Sequence, residues 1–315
     1  MLLLTLRRLG SLLLTLVLLS LITFAITAVL PGNVATMILG PYATPEALHA
    51  IERQLGLDRP LWQQYLGWLG GFVSGDWGTS LRSGQPVRDL VLFRLTNSLY
   101  LAGAAMLVIS TLGVVLGILA AIRRNTWLDH LIGVVAFAGI STPAFVSGSL
   151  LIVLLGGGVW RLLPGSGYTD PGHDPVAWAA HLVLPTITLT LMILAYVVRM
   201  MRASLIEGLQ SNYVRTARLK GLPEAVVVWK HAVRNALLPT ITVIAMNLSW
   251  LIGSVVIVEQ VFAYPGMGDL IVFAVNNRDL PVLQACVLVV GAVTGVGNLA
   301  ADLLYAALNP RIRYA

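Results

Sequence analysis

Six stretches of this chain are apolar over the length that a bilayer demands, and that restricts the fold more than any other feature. A helix needs about 20 mainly apolar residues to cross the hydrocarbon core. Residues 9–30, 97–122, 131–155, 177–198, 239–260 and 282–308 each supply such a run. The runs are continuous rather than alternating over roughly ten residues, so helices are expected and a barrel is not. Composition agrees: 11% of the residues are charged and 57% hydrophobic, against about 25% charged in soluble domains. The expected fold is an all-α polytopic membrane protein with six transmembrane helices.

Arg7 and Arg8 ahead of the first run imitate a signal peptide. The run extends for about 22 residues, past the usual 7–15 of a signal core, and ends at Leu30-Pro31 without a small-x-small cleavage site. It is expected to stay as an anchor. Basic residues then set the orientation. Arg7, Arg8, Arg123, Arg124, seven Lys or Arg between 199 and 238, Arg311 and Arg313 fall on one side of the spans. In the short loops of the other side stand Arg161 and Arg278. The positive-inside rule places both termini in the cytoplasm. The net charge of +6 is thereby a matter of topology and calls for no nucleic acid. The single cysteine, Cys286, lies in an apolar run and excludes an intrachain disulfide.

The chain thus divides into an N-terminal transmembrane helix (1–30), an extracytoplasmic insertion (31–96) and a five-helix core (97–315) whose cytoplasmic loop covers 199–239. Within the insertion, Thr44 is an expected N-cap with Pro45 and Glu46 behind it. Leu48, Ile51 and Leu55 recur at helical spacing. Asp58-Arg59-Pro60 breaks that helix before a second one, and 74–87 reads as loop. Trp62, Trp68 and Trp77 are expected at the outer interface.

Several chemistries are missing. Neither lysine, Lys220 or Lys230, follows a glycine, so there is no P-loop, and no H-E-x-x-H, C-x-x-C or G-x-S-x-G occurs. Asp170, His173, Asp174 and His181 come nearest to a metal cluster, but the glycines and prolines around them read as a solvated turn. The chain is not expected to be an enzyme by itself. Two acids fall inside spans, Glu259 and Asp302. They either mark an ion relay or sit, respectively, at the interface and beside a basic residue. Asn247, Trp250 and Ser254, spaced three and four apart, share a helical face. That face either lines a polar path or bonds to a neighbouring helix.

One segment breaks the apolar pattern. "YVRTARLKGLPEAVVVWKHAVRNALLP", residues 213–239, carries five basic residues. Asn212 is the expected cap of a helix through Arg215 and Arg218, and Gly221 its expected end, as a residue able to take positive φ. Pro223 and Glu224 restart a helix that runs to Pro239. By physics alone this hinged pair rests either on anionic lipid or on an acidic protein surface.

The segment "NYVRTARLKGL" resembles the cytoplasmic loop of ABC-importer permeases in the dipeptide, oligopeptide and nickel branch, with Asn212 where an acid is usual. "GLDRPLWQQYLGWL" at 56–69, "GDWGTSL" at 75–81, "RLTNSLYLA" at 94–102, "ISTPAF" at 140–145, "VEQVFAYPGMGDL" at 258–270 and "NPRIRY" at 309–314 resemble the same branch in the same order. The insertion between spans 1 and 2 is similar to that of B-type subunits. The resemblance implies the type I ABC importer permease fold in a bacterial cell membrane, with a coupling helix between helices 4 and 5. It implies that Tyr213, Arg215, Thr216, Ala217, Arg218, Lys220, Gly221 and Leu222 dock an ATPase subunit. Asn247, Trp250, Ser254 and Glu259 become candidates for the translocation path.

The implied partners are a homologous C-type permease completing a heterodimeric pore, two ATPase subunits or domains, an extracytoplasmic peptide-binding protein and membrane lipid. No cofactor is implied in this chain; ATP and Mg belong to the ATPase subunits. The implied cargo is a di- or oligopeptide, with nickel chelates, opines or glutathione as alternatives. Loops 156–176 and 263–281 and the insertion are expected to face the binding protein. A self-sufficient ion-coupled transporter would want paired midplane acids or inverted repeats, and neither is visible. A passive scaffold would explain the basic loop but not the series of motifs.

Overall fold

The computed structural model describes residues 2–29, 44–55 and 58–308. Leu30-Pro31, the first part of the insertion, and the Arg311 and Arg313 of "NPRIRY" lie outside the described residues. Among the described residues four helices are long and apolar enough to cross a membrane: 5–27 within Leu2–Val29, Val87–Ile122, Pro175–Leu209, and 280–304 within Leu280–Leu308. Two bent pairs raise the total to as many as six.

The expected third span, 131–155, is not one helix. Trp127–Ser141 and Ala144–Leu151, the latter continued by a π-helical turn at Ile152–Gly156, meet at 109°. The cause is Thr142-Pro143. Proline offers no N–H and forces its predecessor out of the helical region, and Thr142 is extended at φ −97°, ψ 125°. Pro239, by contrast, does not start a span. The helix Arg234–Phe262 runs through it, a proline position tolerated in membrane helices where neighbouring groups take up the freed carbonyl.

The chain forms two compact units, neither a continuous stretch. One comprises Leu6–Asn97 and Gly266–Gly295; the other comprises Met1–Thr5, Ser98–Pro265 and Val296–Ala315. In the first unit, helix 2–29 turns Leu13, Leu14, Val17, Leu18, Ile22 and Ile26 outward. Its other side meets Gly291 and Gly295, where an added Cβ would come within 2.3 Å of Leu19 and 2.1 Å of Leu12. Thr44 and Pro45 open helix Pro45–Leu55 as expected, with the Ala47 N–H donating to Thr44 Oγ1 at 3.4 Å. The second insertion helix, Leu61–Ser74, sets Tyr65 edge-on and Trp68 tilted against Phe24, and Tyr65 shares a 2.8 Å bond with Ser20. Trp77 stacks on Phe72 and donates to its carbonyl, while Trp62 is exposed.

The next loop is held by a buried acid. Asp279 accepts from Ser80 Oγ and from the backbone N–H groups of Leu81 and Arg82. Beneath it lies a core of Val87, Val91, Leu270, Val282 and Cys286. Arg94 pairs with Asp269 in the same unit.

The second unit is built around helix 175–209. Asp174 caps it, accepting from the N–H groups of Val176 and Ala177, and Pro175 fills the first position. Its buried side chains, Leu189, Ile193 and Val197 among them, pack with Leu101, Ile109, Leu251, Val258 and Phe262. Glycines allow the helices to approach closely. A Cβ at Gly117 would sit 2.6 Å from Met201 Cβ, and one at Gly139 would sit 2.7 Å from the Leu191 carbonyl. Gly117→Val is therefore expected to destabilise by about 1–3 kcal/mol through overpacking. Gly133→Val, with nothing within 4 Å of its Cβ, is expected to be near neutral. Thermal midpoints of the two variants in one detergent check the contrast.

Candidate functional site: the hinged turn at 211–234

The turn is defined by its hydrogen bonds. Helix Asn212–Leu219 is followed by Lys220 as C-cap and Gly221 at φ +75°. The Gly221 N–H donates to the Arg218 carbonyl at 2.9 Å and the Leu222 N–H to the Ala217 carbonyl at 3.4 Å. This pair of bonds is the Schellman closure, which requires a left-handed residue at the position of Gly221. Arg218 then reaches across the bend, placing Nη2 2.6 Å and Nε 3.1 Å from the two oxygens of Glu224. The carboxylate keeps the guanidinium protonated and pushes its pKa further up.

Two details differ from the expectation. The N-cap is Ser211, with Asn212 the first helical residue; the Ser211 hydroxyl is turned back to the Gly208 carbonyl. Pro223 is likewise the cap, and Glu224 begins the next helical turn, Glu224–Val226, which passes through a π-helical Val227–Val233 into helix 234–262. Of the eight residues expected to dock a partner, Tyr213, Arg215, Thr216, Arg218, Lys220, Gly221 and Leu222 are exposed. Ala217 is not. It is buried with Val214 against Met201, Leu205, Val227 and Ala232, so it forms the seat of the helix. Leu219, between Arg218 and Lys220 in the chain, is 80% exposed and projects with them.

The four candidate pathway residues do not form one stripe. Asn247 donates to the Val243 carbonyl and Ser254 to that of Trp250, so both are satisfied within their own helix. Trp250 is exposed. Glu259 is fully buried and accepts from Ser98 Oγ of helix 87–122. Twelve residues at 100° each put it about 120° round the helix from Asn247. Within the chain Glu259 is thus an interior residue. Asp302 is half-buried. Asp170 and Asp174 accept from local backbone N–H groups and His181 bonds to the Ala177 carbonyl. Among the described residues no group of three metal-ligating side chains exists.

Apolar helices of spanning length, with a basic, exposed hinge between two of them, are the architecture of an integral membrane protein. Residues 113–314 match the family described as binding-protein-dependent transport system inner membrane component, and residues 1–101 match its N-terminal region. The chain belongs to that family, the permeases of ABC importers, and has its type I fold. It is 39% identical over 308 residues, 98% of each chain, to the glutathione transport system permease protein GsiC of Escherichia coli strain K12. The same identity and coverage hold for GsiC of Shigella flexneri serotype 5b. A crystal structure of an amino acid ABC transporter with histidines is similar at a TM-score of 0.47 and 17% identity, covering 71% of this chain and 94% of that one.

Proposed function

We propose that this chain is one half of the pore of an importer for short peptides, glutathione among them, and that residues 213–222, Leu219 among them, receive the push of a separate ATPase subunit. The observation that carries the docking reading is the turn itself. Its backbone is closed by two bonds around Gly221, its base is buried at Val214 and Ala217, and its apolar and basic side chains point away from the chain. A surface that must transmit force needs a rigid seat and a projecting contact, and this one has both.

In this reading both termini are cytoplasmic, ATP and Mg are held by the ATPase subunits, and a homologous permease completes the pore. A binding protein delivers cargo to the outward-open state. Closure of the ATPase pair moves the turn, and through helices 175–209 and 234–262 the pore alternates its access. The peptide cargo is supported by the identity to a glutathione permease across 98% of the chain, glutathione being a tripeptide. Cells lacking this chain are expected to lose uptake of radiolabelled glutathione or alanyl dipeptides, and to regain it on complementation. Normal uptake of both, with loss of a nickel chelate or an opine instead, would replace the cargo.

A further inference from the structure

Helix 127–141 is fastened to helix 175–209 at three levels. Asp129, in its first turn and 6% exposed, accepts from Arg202 Nε and Nη2, each at 2.7 Å. A third donor, the Asn125 N–H, reaches the same carboxylate at 2.9 Å. Further along, Arg199 lies 4.6 Å over the ring of Phe137. Beyond that, Gly139 presses against the Leu191 backbone, with no room for a Cβ. A forked guanidinium on a carboxylate fixes rotation as well as separation, and because Asp129 is buried while Arg202 stays one-third exposed, parting the pair strands the carboxylate's charge. The chain breaks by 109° after Ser141, and Ala144 beyond the break packs with Leu189 and Ile193 of the same long helix. On the other partner, Arg202 lies seven residues, about 10 Å of helix, before Leu209, which leads into the hinged turn.

We propose that Asp129 and Arg202, braced by Arg199 over Phe137, are positioning residues that make helices 127–141 and 175–209 a single strut carrying the displacement of the turn into the pore. The proposal rests on the docking reading above. The polar fastening of the strut starts near the turn and ends before the Thr142-Pro143 break, so 127–141 moves with the turn.

The test uses the whole transporter, this chain with its partner permease, both ATPase subunits and the binding protein, in liposomes. Asp129→Asn is expected to keep ATPase subunits at the wild-type ratio and to hydrolyse ATP, yet to import at least tenfold less cargo per ATP. Arg202→Gln carries the same measurement if Asp129→Asn fails to accumulate. In the double variant the loss should equal that of either single, because the two side chains act as one unit. Wild-type import per ATP, or losses that multiply in the double variant, would overturn the strut. So would loss of the ATPase subunits, which would assign the pair to docking.

A second measurement needs no change at the pair. Spin labels on Val134→Cys and Tyr196→Cys, both exposed positions, should keep one separation with and without ATP. A shift on ATP binding sinks the rigid strut. Failure of the docking reading would instead appear at Gly221 and Leu219, so the two failures are separable.

Discussion

Gly221→Val is expected to lower uptake at least a hundredfold and to release the ATPase subunits, while the chain still inserts into the membrane. The reason is conformational and not steric. Nothing lies within 4 Å of a Cβ built on Gly221, but its φ is +75°. A β-branched residue resists that region by about 2 kcal/mol or more. Relaxing to negative φ breaks the two bonds to the Arg218 and Ala217 carbonyls, and Leu219, Lys220 and Leu222 then leave the positions from which they project. Asparagine enters the left-handed region readily, so Gly221→Asn should retain most uptake. Measuring import and ATPase co-purification for both variants decides the matter. Full activity in Gly221→Val would mean that the turn is not the docking element.

A large effect on the loop between residues 78 and 86 is expected from Asp279→Ala. The carboxylate is fully buried and serves the Ser80 hydroxyl and two backbone N–H groups. Each stranded donor costs about 1–3 kcal/mol, so the loop from 78 to 86 should lose about 3 kcal/mol of its attachment. At 1.4 kcal/mol per decade that opens it roughly a hundredfold more often. Arg82, exposed on that loop, supplies the readout: trypsin should cut purified Asp279→Ala complex there far faster than wild type. Equal cleavage rates would show that other contacts hold the loop.

Neither Asp279 nor Asp129 could have been singled out beforehand. Ser80 and Asp279 are 199 residues apart, and Asp129 and Arg202 are 73 apart. A carboxylate in "NNRDLP" or "WLDH" looks like any surface acid until folding brings its donors. Glu259 shows the same limit from the other side. Its place near the end of an apolar run suggested an interface or a relay, and its partner Ser98, 161 residues away, could not be read from that place. The stripe of Asn247, Trp250 and Ser254 was legible as a face because helical spacing is a local property. What that face meets was not.

The sequence by itself determined those features that solvent and backbone chemistry dictate. The lengths of apolar run demand helices in a bilayer, Pro and Gly mark where helices stop, and the basic loop with its glycine announces a hinge. Each of these depends on a residue and its near neighbours. Tertiary structure decided which side of the hinge helix is seat and which is surface, sending Ala217 inward and Leu219 outward. It also decided that Pro239 passes within a helix, where Pro143 by its own chemistry ends one. Those outcomes turn on packing partners distant in the chain, whose contribution a local pattern does not contain.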